Sequence, residues 1–96
     1  MSVLVTYASK HGATQQIAAR IADRLRTAGL EVQVSPITAT GDPAGYDALV
    51  IGSAVYFGSW LAAARRFVWR HREALVGRPV WLFSSGPLGR GWRHRR

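Results

Sequence analysis

Ser9, Gly12 and Thr14 stand in one short segment, Ser9-Lys10-His11-Gly12-Ala13-Thr14, directly after the apolar run Val3-Leu4-Val5-Thr6-Tyr7. The chemistry open to them is phosphate binding. Ser9 and Thr14 bring hydroxyl donors, and Gly12 permits close backbone approach. A helix beginning here adds unpaired N–H groups and about half a unit of positive charge. The same hydroxyls also suit plain helix capping, and this segment alone leaves both readings open. Two further stretches have ligand-binding character: Ala54-Val55-Tyr56-Phe57-Gly58-Ser59 carries aromatics, and Ser84-Ser85-Gly86-Pro87-Leu88-Gly89 is small and polar. An anion cradle, an aromatic wall and a Gly-Pro loop together suit a phosphorylated planar ligand, although Tyr56 and Phe57 equally suit packing at the base of a loop.

The elements that must position these segments alternate in type. Val3 to Tyr7 is nearly continuous apolar and β-branched sequence, as expected of a strand covered on both faces. From Ala13 the period changes. Ile17, Ile21 and Leu25 recur every four residues with Ala18 and Ala22 beside them, opposite Gln16, Arg20 and Arg24, which predicts an amphipathic helix closed by Gly29. Leu30 to Val34 reads as a second strand, and Ser35 to Tyr46, with two prolines and two glycines, as a connection with at most a short helical turn. Asp47 to Ser53 is a third strand. Trp60 to Val76 is predicted to be one helix with Leu61, Ala64, Phe67, Val68 and Leu75 inward and Gly77 at its end, and Pro79 to Phe83 a fourth strand. Such alternation implies a parallel, doubly wound α/β sheet, whose ligands collect beyond the carboxyl ends of the strands. All three candidate loops leave from those ends.

Composition narrows the chemistry further. The 96 residues make one domain and contain no cysteine, so disulfides and thiolate metal sites are excluded, and His11, His71 and His94 lack metal-ligand spacing. No metal site is expected. No run of about 18 apolar residues occurs, and the N-terminus has no signal-peptide pattern, which makes the cytoplasm the expected compartment. The net charge of +8 comes mainly from twelve arginines on both helices and at the C-terminus. That surface suits solvation, or attraction to anionic lipid or nucleic acid. Trp60 and Trp92 form no interleaved basic-aromatic platform, so nucleic acid is disfavoured as a partner. A P-loop needs Gly-Lys-Ser/Thr, the order Lys10-His11-Gly12 reverses it, and no Gly-x-Gly-x-x-Gly follows the first strand. A receiver domain would need an aspartate where this chain has Gly52-Ser53.

With those alternatives set aside, Ser9 to Thr14 resembles the phosphate loop of the flavodoxin-like FMN-binding domains: a hydroxyl residue, two spacers, glycine, one spacer, threonine. Tyr46-Asp47-Ala48-Leu49-Val50-Ile51-Gly52-Ser53-Ala54-Val55-Tyr56-Phe57-Gly58, followed by Phe67-Val68, is similar to the branch of that family that includes menaquinone-dependent protoporphyrinogen dehydrogenase. The resemblance covers residues 1 to 89. It implies FMN as cofactor, with the phosphate held by Ser9, Lys10, His11, Gly12, Ala13 and Thr14. It also implies that the flavin ring is flanked by Ala54, Val55, Tyr56, Phe57 and Gly58 and by Ser85, Gly86, Pro87, Leu88 and Gly89. Tyr56 or Phe57 is then the side chain expected against the ring. The implied role is an FMN-dependent redox domain, with a redox protein, a quinone or a porphyrinogen as partner and peripheral contact with an anionic membrane as one setting. The competing role is a flavin-free domain acting through its basic surface.

The family fold continues past a fourth strand, whereas twelve residues, Ser85 to Arg96, follow here. The expectation is therefore a domain over 1–89 of four strands in the order 2-1-3-4, lacking the fifth strand and last helices, with 90–96 as a basic tail. The switch to Gly91-Trp92-Arg93-His94-Arg95-Arg96 reads as a truncated or frameshifted end. Val80-Trp81-Leu82-Phe83 would then be an open apolar edge inviting self-association.

Overall fold

The computed structural model describes residues 1–86 and the backbone of a strand at 89–95. In chain order the elements are β1 (Ser2–Ala8), α1 (Ala13–Thr27), β2 (Glu31–Pro36), two 3-10 turns (Ile37–Ala39 and Pro43–Gly45), β3 (Ala48–Tyr56), β4 (Ser59–Trp60), α2 (Ala62–Arg70), α3 (Arg72–Val76), β5 (Val80–Gly86) and β6 (Gly89–Arg95). The main sheet runs β2-β1-β3-β5-β6, with β4 off this path on β3. β2, β1, β3 and β5 are parallel, as the alternating pattern requires.

Strand alternation sorts the core into two layers. Leu4, Leu49, Ile51 and Val80 face α2 and α3, where they meet Ala64, Phe67 and Leu75. Val3, Val5, Val50 and Phe83 face α1. On α1 the residues turned most directly to the sheet are Thr14, Ala18 and Ala22, each fully buried, while Ile17, Ile21 and Leu25 flank them half-buried. Small side chains at four-residue steps bring the helix axis close to the strands. The α1 end follows the expected chemistry: Gly29 takes φ +93°, with Leu30 N–H on Leu25 O and Gly29 N–H on Arg26 O, a Schellman closure. Gly77 ends α3 at φ −83°, without the left-handed turn.

Several expectations are corrected. The predicted single helix from Trp60 to Val76 begins at Ala62, because Trp60 is recruited into β4, and it is interrupted at His71 (φ −105°, ψ 20°). Phe67 and His71 meet there as a tilted ring pair, with centroids 4.7 Å apart and planes at 54°. β3 continues through Tyr56 and β5 through Gly86, so Ala54, Val55, Tyr56, Ser84, Ser85 and Gly86 belong to strands, not loops. The register Ser53↔Ser84 and Ala54↔Ser85 shows why: parallel pairing extends each strand for as long as its neighbour offers hydrogen-bond partners.

The largest correction concerns the β5 edge. The four-stranded 2-1-3-4 sheet acquires a further strand, β6, which runs antiparallel to β5 from Val80↔Arg95 to Gly86↔Gly89. An unpaired apolar strand is a template for pairing, and here the chain itself supplies the partner. The 90–95 segment is thus sheet backbone, not an unstructured tail, and the open edge on which self-association was expected is occupied.

Candidate functional site

The β1–α1 turn is built around Gly12. Its φ of +89° puts it in the left-handed region, which a Cβ would strain although no neighbouring atom would block one. Gly12 is the N-cap of α1 and no side chain caps the helix; instead Gly12 N–H donates to Ser9 Oγ at 3.0 Å. The capping reading of Thr14 therefore fails. Thr14 lies one residue inside the helix, 1 % exposed, and its Oγ1 has no hydrogen-bond partner. The first N–H groups of α1 have no intrahelical acceptor, and no acidic residue stands in the first turn to offset the dipole.

Electrostatics sharpen the picture. Of the five side-chain carboxylates, Glu31 opens β2, Asp42 and Asp47 lie in the crossover before β3, and Asp23 and Glu73 lie on helices; none stands in the β1–α1 turn or at the end of β3. Lys10 and His11 lie in that turn, exposed, and both reach Tyr56: Lys10 Nζ sits 4.8 Å from the Tyr56 ring centroid and the His11 ring 6.2 Å away, edge-on. The segment 9–14 and the end of β3 are thereby brought together.

Phe57 and Gly58 form the two-residue turn between β3 and β4, with φ of +52° and +78°, pairing Tyr56 with Ser59 and Val55 with Trp60. Left-handed angles at both central residues are those of a type I′ hairpin turn, where Asn-Gly is usual and phenylalanine is strained. Phe57 is fully exposed, whereas Tyr56 is half-buried. Of the two aromatics, Tyr56 is the one gathered beside Lys10 and His11.

The third segment joins through backbone. Ser85 is buried at the end of β5, and Gly86 lies against Val55, where an added Cβ would sit 3.3 Å from Val55 Cβ and O. Trp60 Nε1 donates to Ser84 Oγ at 2.8 Å, tying the hairpin to β5. Pro87 and Leu88 lie outside the described residues, and Gly89 is the first residue of β6. Ala54 is buried and offers backbone alone. A residue not anticipated from sequence is Ser53, fully buried at the point where a receiver-domain aspartate was sought; its Oγ accepts the Leu61 N–H at 3.0 Å and donates to Ala54 O at 2.8 Å. It holds the start of α2 to the end of β3. A cavity of about 530 Å³ opens beside the turn, lined by Ser9, Lys10, Gly12 and Gln15 and, unforeseen, by Pro36, Ile37 and Thr38 after β2. The sequence of that connection carried no motif that marks a cavity wall.

A family model described as a flavodoxin domain matches residues 4–94. The chain belongs to the flavodoxin domain family. Over 92 residues, 94% of the chain, it is 27% identical to the protoporphyrinogen IX dehydrogenase [quinone] of Escherichia coli strain K12, and it spans about half (51%) of that relative's length. Among solved structures it is similar to two-electron reduced Megasphaera elsdenii flavodoxin, with TM-score 0.83 and 26% identity over 93% of this chain and 68% of that one. The fold also matches Fusobacterium nucleatum flavodoxin bound to flavin mononucleotide, at TM-score 0.72 and 18% identity, covering 88% of this chain and 52% of the other.

The residues of this flavodoxin fold fit an FMN phosphate. An unpaired buried hydroxyl, a left-handed glycine, an uncompensated helix N-terminus and a lysine stand within one turn, with no carboxylate in it. Among the described residues no group of side chains is arranged to hold a metal, and no helix is long and apolar enough to cross a membrane.

Proposed function

We propose that this chain is an FMN-binding redox domain. The phosphate would lie on the N-terminus of α1, and the isoalloxazine ring across the carboxyl ends of β3 and β5. The observation that carries the reading is Thr14 Oγ1, a hydroxyl donor with no partner, buried at the entrance to a helix that already attracts anions. In this assignment Thr14 and Ser9 hydroxyls and the N–H groups of Ala13 and Thr14 hold phosphate oxygens, with Lys10 supplying countercharge. Tyr56 and Phe57 present aromatic faces to the ring system, and the ends of β5 at Ser85 and Gly86 contribute backbone. Bound there, the flavin supplies the electron or hydride chemistry, and the protein supplies position and electrostatics. No side chain is assigned an acid or base role.

Electron exchange is placed at the Phe57 turn, because it is the exposed rim of the assigned site. A quinone or a porphyrinogen, the substrates in the name of the Escherichia coli relative, is the substrate class proposed for that rim. The flavin-free alternative has less behind it, since among the described side chains the helix arginines divide between α1 on one face of the sheet and α2 and α3 on the other. The test is an FMN titration read by flavin fluorescence, followed by dithionite reduction. The reading expects saturable quenching and reversible bleaching of the bound flavin. Unchanged fluorescence in the presence of folded protein would sink it.

A further inference from the structure

The helices α2 and α3 carry more apolar surface than the core uses. Ala64, Phe67 and Leu75 face the sheet and are buried. A second stripe, Val68, Trp69 and Val76, lies alongside and opens onto a groove of about 710 Å³ whose other side is Trp60 and Leu82. Trp69 is 68% exposed and Val76 70%, while Leu82 on β5 is half-buried, because the helix layer stops short of it. Large apolar side chains gathered along one groove mark an interaction site. A groove between a helix and a strand face is where another helix packs, at an axis separation of about 8–10 Å.

Charge selects the kind of helix. Arg65 and Arg72 line the groove, Arg66 and Arg70 stand exposed on the same helices, and Glu73 is the one carboxylate among them. Arg72 is already oriented: its guanidinium lies 4.0 Å over the Trp69 ring, and Nη1 donates to Trp69 O at 2.7 Å. Its remaining N–H groups have no acceptor among the described residues, and a guanidinium fork of that kind is matched by a carboxylate. Arg65 on α2 and Arg72 at the start of α3 are seven positions apart and both line the groove. A second copy of the chain does not complement this rim, since its net charge is +8 and the exposed face of its α1 bears Arg20 and Arg24.

We propose that this groove docks an amphipathic helix of a partner protein. Its apolar stripe covers Val68, Trp69, Val76 and Leu82, and two carboxylates about two turns apart pair with Arg65 and Arg72. The interaction is independent of flavin binding. The test uses two synthetic 18-residue helical peptides that share a leucine stripe and differ in whether the two charged positions, seven residues apart, are glutamate or lysine. Binding is followed by amide chemical shifts of the full chain. The expected result is saturable binding of the glutamate peptide, with shifts confined to 65–76 and the neighbourhood of Leu82. Arg65→Glu with Arg72→Glu should weaken it at least tenfold and transfer preference to the lysine peptide, while the melting curve confirms that the variant is folded. Equal affinity for both peptides, indifference to the charge reversal, or shifts elsewhere would overturn the proposal. So would a preference for anionic phosphatidylglycerol vesicles over the glutamate peptide, or a concentration-dependent dimer that buries Trp69.

Discussion

Replacing Thr14 with valine separates the flavin reading from a purely structural one, because it should change two quantities in opposite directions. The valine keeps the branched shape of a residue 1 % exposed and deletes only Oγ1, which has no partner. An unpaired buried hydroxyl costs about 1–3 kcal/mol, so the FMN-free variant should gain about 1 kcal/mol in stability. For a domain of this size that raises Tm by about 4–8 °C. With FMN present the same hydroxyl would donate to a phosphate oxygen, and a hydrogen bond to a charged acceptor contributes about 1.5–3 kcal/mol. The variant should therefore bind FMN roughly ten- to a hundredfold more weakly. Differential scanning calorimetry without flavin and fluorescence titration with it supply both numbers. A destabilised FMN-free variant with unchanged FMN affinity would refute the argument, since Thr14 would then be a packing residue with a hidden partner.

Three other perturbations test the framework around the site. Gly52→Ala would force a Cβ onto the ring of buried Phe83, an overpacking cost of about 1–3 kcal/mol, whereas Gly45→Ala meets nothing within 4 Å. Thermal melts should show a clear loss for the first alone, and equal melts would contradict the packing. Phe57→Asn should relieve part of the roughly 1–2 kcal/mol penalty of a left-handed phenylalanine and raise Tm. It should also weaken FMN if the exposed ring lies against the flavin, so a lower Tm would count against the strain. Finally, the Ser2 N–H donating to Asp47 Oδ2 at 2.9 Å, with smaller help from the Ser2 hydroxyl, the N-terminal ammonium and Arg78, lowers the Asp47 pKa against a partial desolvation effect. A depressed folded-state pKa means stability that is present above the ordinary aspartate range and lost as pH falls through the folded value. Asp47→Asn should therefore flatten the acid limb of a pH–stability profile, and an unchanged limb would show the contact to be energetically silent.

The parallel strands and the β1–α1 turn were legible in the sequence for a local reason, whereas the strand order followed from the family resemblance. A buried parallel strand announces itself as an apolar run, and a glycine with flanking hydroxyl residues before a periodic helix specifies a turn without help from distant residues. Where pairing between distant segments decided the outcome, sequence was a poorer guide. Tyr56 could be read as loop or strand until Ser59 folded back on it, and Gly86 until Ala54 paired with Ser85. The β6 segment, rich in glycine and arginine, carries little strand pattern of its own, and it becomes a strand because β5 offers an unpaired edge. Ser53 was noticed only for not being aspartate. Its role depends on the approach of Leu61 from eight residues away.

The two ends of the sheet differ in how their polar and charged groups are paired. At the amino end, Ser2 and Asp47 bond reciprocally, and Arg78 Nη1 donates to the carbonyls of Pro43, Ala44 and Tyr46, pinning the crossover before β3. Arg78 Nε, buried and unpaired, is the cost of placing that fork among carbonyls. At the carboxyl end the features run the other way: an unpaired threonine hydroxyl, an uncapped helix N-terminus, a left-handed phenylalanine fully exposed, and cations without carboxylates. Each is unfavourable for the isolated chain. On the proposed reading an anionic, partly aromatic ligand relieves or exploits each of them, and the parallel strands bring all of them to the same end. Local penalties gathered at the ends of β1 and β3, beside one another, are the physical support for the FMN site proposed above.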